Sequence, residues 1–293
     1  MHSKINRTPV LVHVLLVAVT SMCVIPFFLL VISSFTDETA LIQNGYSFFP
    51  EKLSMEAYQY LWNSKDSISR AYAITFGVTA AGTFLSLSIS AGIAYAMSKK
   101  DFILAKPITF LVVFSVLFHP GLVPTYIFYT RYLGIKNSLL GLLIPRLMMN
   151  GVNVLILRTY FCNSVPEALL ESARLDGANE FRTFFGIVLP ISKPILATIG
   201  FLNAIAYWND WFNSFIYISD TTKLSLQGLL NRIILDIQFM SSSEFAGELG
   251  NFNIPSISVR MAIAVVAVLP IFVAFPFFQR FLTKGIRIGA VKG

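Results

Sequence analysis

The chain has 293 residues, of which 55% are hydrophobic and 13% charged, with a mean hydropathy of +0.70. A soluble domain carries about a quarter charged residues, so the composition excludes an ordinary water-soluble globule and points to an integral membrane protein. The net charge of +7 raises nucleic acid as a partner, and the placement of the charges decides against it.

A bilayer core needs about 20 apolar residues as helix, and six segments qualify in chain order. The first, 10–33, follows Lys4 and Arg7. It is too long for a signal-peptide core, and Met22 stands where a lipoprotein cleavage box needs a small residue, so an uncleaved anchor is expected. A first outer loop runs to about residue 70. The second segment, 71–97, is rich in Gly, Ala and Ser, which let helix backbones approach closely, and is expected inside the bundle. The third, 106–128, contains His119 before Pro120. A short turn, Thr130–Ser138, leads to the fourth, 139–161. A charged stretch separates it from the fifth, 194–218. The loop 219–260 carries Leu224, Leu226, Leu229, Leu230, Ile233, Ile234 and Ile237 at near-helical spacing, which predicts an amphipathic helix, and a flexible tip at Ser241–Glu244. The sixth segment is 261–282. Cys23 and Cys162 fall in or beside apolar runs without a CxxC and read as small buried hydrophobes.

Six spans put both termini on one side. With that side as the cytoplasm, the inner loops and tails hold 13 Lys and Arg against 5 acids, and the outer side holds 9 against 10. The excess sits where the positive-inside rule expects it, so the basic balance is topology and no nucleic-acid partner is needed. The expected architecture is an all-α, multi-pass membrane protein, in contact with lipid, with both termini cytoplasmic. It divides into an anchor helix plus first outer loop (1–70) and a core (71–293) with a cytoplasmic loop at 163–194 and an outer loop at 219–260.

The cytoplasmic loop holds ESARLDGANEFRTFFGIVLP, Glu171 to Pro190. Val165 before Pro166 is biased to extended backbone, and Pro166 suits a helix start. PEALLESARLD then reads as a short helix with Glu167 and Glu171 near its positive end. Gly177 can take the left-handed conformation that stops it. Asn179 can cap the next helix, and Pro190 and Pro194 interrupt the backbone before the fifth span. So short a helix is marginal alone in water, and Ala168, Leu169, Leu170, Ala173 and Leu175 nearly encircle it. It reads as a docking element, or else as a helix lying on lipid headgroups.

Glu171-Ser172-Ala173, three residues, Gly177, nine residues and Ile187-Val188-Leu189-Pro190 resemble the EAA signature of binding-protein-dependent ABC importer permeases. Asp176-Gly177-Ala178 also fit, and Ser172 departs from the signature's Ala. The likeness extends to Ser33-Ser34-Phe35, to Pro124-Thr125-Tyr126, to Leu133–Ser138, to Trp208-Asn209-Asp210 as in carbohydrate importers, and to the tail Gly289–Gly293, which resembles the maltose-type second permease. The loop 219–260 resembles the lipoprotein-associated oligosaccharide subgroup. The resemblance implies a type I importer fold with a second related permease, two ATPase subunits and an extracytoplasmic binding protein that touches the loop 219–260. It makes the EAA helix the coupling helix. The coupling residues would be Glu171, Ser172, Ala173, Asp176, Gly177, Ala178, Leu189 and Pro190, with Glu171 meeting an ATPase Arg.

The chain has no GxxxxGK[ST] loop, so ATP and Mg are expected on the partner ATPase and no cofactor on this chain. Neither an HExxH nor a GxSxG is present, and His2, His13 and His119 lie far apart, so no catalytic or metal residues are expected. Tyr207, Trp208, Asn209, Asp210 and Trp211 offer aromatic faces and hydrogen bonds of the kind a sugar uses. On one continuous helix Tyr207 and Trp211 would share a face. Core packing accounts for the same residues equally well. An ion-coupled secondary transporter or channel is the alternative. Asp210 and His119 would then work, since a charge at mid-membrane costs roughly 2.5–3.5 kcal/mol and needs a cavity or partner.

Overall fold

The computed structural model describes residues 7–99, 101–145, 147–242 and 256–290. Among them no strand occurs, and one isolated bridge joins Thr36 to Leu53. The chain forms two compact units, Met1–Ile68 with Leu230–Pro270, and Ser69–Leu229 with Ile271–Gly293.

In the first unit, helix α1 (Arg7–Ser34) contains an apolar run, Val12–Ser34, that buries almost none of its side chains. A helix apolar all round and unburied within its own chain requires lipid or another protein. The first outer loop holds two short helices, α2 (Glu38–Asn44) and α3 (Glu56–Asn63). Buried Asp37 caps α2 through Thr39 N–H and pairs with Lys52 at 2.8 Å. Ser34 and Tyr58 share a hydrogen bond of 2.8 Å, and the Phe35 and Tyr58 rings stack at 4.6 Å. Glu38 reaches the N-terminus of the last helix, accepting from Ile257 N–H and Ser258 N–H at 2.9 Å and from the Ser258 hydroxyl at 2.8 Å. A carboxylate there satisfies orphan donors and the positive end of the helix dipole together.

The second unit is organised around α4 (Lys65–Ser98), whose residues from Ser69 onward belong to it. Ala71, Thr75, Val78, Gly82, Ser86, Ser90, Ala91, Ala94 and Met97 are its buried residues, spaced as one helical stripe. This small-residue helix, expected inside the bundle, buries this one stripe, while Gly77, Ser88 and Gly92 are exposed. Its C-terminal end (Ala91, Ala94, Met97) packs with Val112, Val154, Leu157, Phe161, Val188, Ile195 and Ile199 in the main apolar cluster. Across the stripe, Asn153 donates to Asn203 at 2.9 Å and Asn203 donates to Ser86 at 3.1 Å, all three buried. Toward the other end, Thr75 accepts from Leu226 N–H at 2.8 Å, at the start of the helix Leu226–Ser242.

The other expected spans are interrupted. α5 (Ala105–Leu117) and α6 (Leu122–Ile127, continued by a π turn to Tyr132) meet at 119°. The break lies where Pro120 forbids a helical His119 and Gly121 takes a φ of 87°; His119 is exposed there, outside any helix. The segment 139–161 is not continuous: α7 (Leu140–Leu143) ends before Pro145, and α8 (Gly151–Ser164) starts afresh under an Asn150 cap. The loop 163–194 contributes α9 (Glu167–Leu175), α10 (Glu180–Thr183), a π turn (Phe184–Val188) and α11 (Leu189–Ile191). The stretch Glu180–Ile191 then meets α12 (Lys193–Trp208) at 82°. The bend lies at Ser192, while Pro190 and Pro194 sit in the first turns of α11 and α12. α12 stops at Trp208, and α13 (Phe212–Tyr217) follows. The expected amphipathic helix is α14 (Leu226–Ser242), and α15 is Ser256–Ala290; part of the expected Ser241–Glu244 tip and of the Gly289–Gly293 tail lies outside the described residues. Among the described residues three helices are long and apolar enough to cross a membrane, and each bent pair reaches that length together. Cys23 and Cys162 are exposed, against expectation, because the apolar run of α1 is unburied within the chain and Cys162 lies off the buried stripe of α8 that carries Val154, Leu157 and Phe161.

Gly82 shows how tight the α4 stripe is: a Cβ there would lie 2.4 Å from Tyr207 Cζ, whereas one on Gly77 would meet nothing. Gly82→Ala should lower stability in detergent by about 1–3 kcal/mol through overpacking, and Gly77→Ala should be neutral or stabilising by helix propensity; thermal melts of the two purified variants compare them directly. Lys52, first by its hydrogen bond, lowers the Asp37 carboxyl from 3.8 to about 2. The pair's contribution is therefore complete above pH 3.8 and lost as pH falls through about 2. A pH series of melts should show that loss in the wild-type chain and a flatter profile in Asp37→Asn.

Candidate functional site

Pro166 precedes α9 in an extended conformation, as its own ring and the residue before it require. The helix closes with a Schellman arrangement. Ala178 N–H donates to Ala173 O at 2.9 Å, Gly177 N–H donates to Arg174 O at 3.0 Å, and Gly177 has a φ of 75°. Asn179 then accepts from Arg182 N–H at 2.8 Å and caps α10. Helix, left-handed glycine and capped restart therefore fall where the residue order placed them.

Exposure divides the EAA residues into two sets. Ala173 is buried, Leu189 is packed against the main cluster, and Val188 lies fully inside that cluster. Glu171, Ser172, Asp176, Gly177 and Pro190 are exposed, and Ala178 is half-buried. Ser172 turns its hydroxyl onto Leu169 O at 3.1 Å, so it presents the low profile of an alanine. Leu175 is 88% exposed and Leu169 39%. A nine-residue helix with this much uncovered apolar surface is not stable by propensity alone; its buried side is held by Ala173 and by Leu170 against the cluster.

Beside α9 lies a cavity of about 480 Å³, walled by Phe102, Phe181, Phe184 and Phe185 with Lys99 and Arg174 at its edge. Glu180 binds this corner together. It accepts from Tyr95 Oη at 2.5 Å, pairs with Lys99 at 2.9 Å, and lies 3.5 Å from Arg174. Arg174 is also 3.8 Å from Asp101. Residue order alone gives no sign of these contacts, because Tyr95 and Glu180 are 85 positions apart.

The aromatic cluster Tyr207–Trp211 does not converge on one open face. Tyr207 is buried and donates to Leu143 O at 2.9 Å. Trp208 is buried against Tyr72 and Phe76 of α4, with centroids at 6.2 and 5.1 Å. Asn209 is exposed and donates back to Ile205 O at 3.0 Å, Asp210 caps α13 by accepting from Asn213 N–H at 3.1 Å, and Trp211 is 46% exposed. Tyr207 and Trp211 do not share a helical face, since the α12 ladder stops at Trp208.

Membrane-length apolar helices together with a short, capped helix that is buried on one side and exposed on the other define a helical membrane component. The chain belongs to the binding-protein-dependent transport system inner membrane component family, whose model matches residues 5–288. It is 34% identical over 284 residues to the polygalacturonan/rhamnogalacturonan transport system permease protein YtcP of Bacillus subtilis (strain 168), covering 97% of each chain. It is 32% identical to protein LplC of the same organism, covering 94% of this chain and 91% of that one. Its fold matches a chain from the crystal structure of a bacterial ABC transporter involved in the import of the acidic polysaccharide alginate. There the TM-score is 0.78 at 29% identity, with 96% of this chain and 98% of that chain covered.

A Cβ at Gly177 would meet nothing within 4 Å, so substitution there acts through backbone strain alone. Gly177→Ala should cost about 1–2 kcal/mol locally and speed amide exchange at Ala178 about tenfold, with a smaller change for Gly177→Asn. Hydrogen-exchange mass spectrometry of the 167–182 peptides reads both.

Proposed function

We propose that this chain is one of two related permease subunits of an ATP-driven importer in a bacterial cytoplasmic membrane, and that its cargo is an oligosaccharide. The observation that carries the reading is α9: an EAA segment, closed by a left-handed glycine, anchored on one side and bare on the other. In this reading α9 is the coupling helix and sits in a cleft on an ATPase subunit, with Glu171 against an ATPase arginine and Ser172, Asp176 and Gly177 shaping the contact. The partners are a second permease, two ATPase subunits that bind ATP and Mg, and an extracytoplasmic binding protein that meets the outer loop 219–260. The chain crosses six times, with α7 and α8 together making the fourth crossing and both termini in the cytoplasm.

ATP binding closes the ATPase pair, α9 moves with it, and the bundle opens outward to take the sugar. Of the aromatic cluster, Asn209 and Trp211 are open to a sugar, while Tyr207, Trp208 and Asp210 hold the surrounding backbone. Fragments of acidic polysaccharides are the first cargoes to try, because the similar B. subtilis permease and the similar solved importer are both named for such polymers. The ion-coupled alternative loses support from Asp210, whose carboxylate is engaged as a helix cap.

Glu171→Lys should keep membrane insertion yet lose the ATPase on pull-down from mild detergent. Uptake should fall at least about tenfold, since opposing a buried interfacial charge costs about 2 kcal/mol or more. A chain that purifies alone and moves solute on an ion gradient would overturn the reading.

A further inference from the structure

We infer that Glu180 is a positioning residue that carries the displacement of α9 into α4. This rests on reading α9 as the ATPase-docking helix, and it concerns a residue outside the EAA positions.

Glu180 opens α10, three residues beyond the Gly177 turn, and its two carboxylate oxygens serve different elements. Oε2 takes Tyr95 Oη at 2.5 Å, from the C-terminal turn of α4, and Lys99 Nζ at 2.9 Å, from the residue that follows α4. Oε1 faces Arg174 of α9 at 3.5 Å. The contacts differ in weight. The Arg174 pairs are long and half-exposed, and such pairs contribute little. Lys99 has only 12% of its side chain exposed and lies 4.5 Å from the Tyr95 ring centroid. Removing the carboxylate would leave a largely desolvated ammonium with only that ring opposite it, which is the costly case. Glu180 is itself 56% exposed, so its contact with Lys99 is the firmer of the two on the Lys99 side only, and α10 is joined to α9 by a two-bond Schellman turn.

α4 is well placed to pass a displacement on. Its buried stripe meets Asn203 at Ser86, Tyr207 at Gly82 and the start of α14 at Thr75. At Gly82 there is no free space for α4 to slide past α12 without moving Tyr207. A rigid small-residue helix with three such contacts moves as a piece, as close-packed interiors do.

Two measurements test this. In the assembled importer, Glu180→Gln should leave subunit association and basal ATP hydrolysis intact while sugar taken up per ATP falls at least about fivefold. Lys99→Met should do the same, and the double variant should lose less than about twofold more, because the two residues act through one contact. In the full chain alone, with Cys23→Ser and Cys162→Ser, spin labels at Ala168→Cys and Ile89→Cys report the distance between α9 and α4. Glu180→Gln should broaden that distribution, and Tyr95→Phe should broaden it less. Wild-type uptake per ATP in Glu180→Gln, additive losses, or an unchanged distance distribution would each overturn the inference. Failure of the importer reading would show in the wild-type chain itself, as absence of any recruited ATPase.

Discussion

The constraint on which the bundle depends is that a backbone carbonyl or amide freed inside an apolar environment must find a partner within the protein. This chain breaks its apolar helices repeatedly, and side chains close the breaks. Leu143 O, left free where α7 ends, accepts from Tyr207 Oη; Pro145 O accepts from Asn213 Nδ2 at 2.9 Å. Asn137, held at a φ of 58°, accepts from Ser219 N–H and Asp220 N–H, and its own carbonyl accepts from Lys223 at 3.1 Å. Each such bond is modest in net worth, yet leaving the group unmet would cost several kcal/mol in lipid. The polar residues scattered through the apolar runs are therefore the fastenings of an irregular path.

That constraint explains why the Tyr207–Trp211 cluster serves the fold before it serves any cargo. Tyr207 spends its hydroxyl on Leu143, Asp210 on the start of α13, and Asn209 on Ile205. The same physics that lets Tyr and Asn bind sugars lets them bind stray backbone, and the interruption of α12 at Trp208 creates the demand. Asn209 and Trp211 are left on the exposed side. A cargo path lined by them would recognise sugar weakly, which suits a subunit that passes cargo on.

Local features were legible from the residues, and distant pairings were not. The α9 helix, the Gly177 turn and the Asn179 cap depend on neighbours within a few positions, and all three stand where residue order implied. The inward face of α4 was readable from its Gly, Ala and Ser periodicity, and α14 from its leucines and isoleucines. The interruption of the 139–161 segment was hidden. Hydropathy averages over Pro145 and does not register that Tyr207 and Asn213, more than 60 residues away, can satisfy the freed carbonyls. For the same reason the contacts of Glu180 were hidden; its partners Tyr95 and Lys99 are set by tertiary packing.

The coupling corner joins two surfaces of opposite character. The side of α9 that carries Glu171, Ser172 and Asp176 is exposed, and Leu175 beside them adds uncovered apolar area, so its free energy falls when a partner covers it. The side that carries Ala173 and Leu170, extended by Val188 and Leu189, is fixed in the core. A helix bare on both sides would dock without moving the bundle, and one buried on both sides could not dock. Glu180, three residues past the Gly177 turn, pairs with Lys99 at 2.9 Å, so on the docking proposed for α9 this contact lies between the bare side and the end of α4.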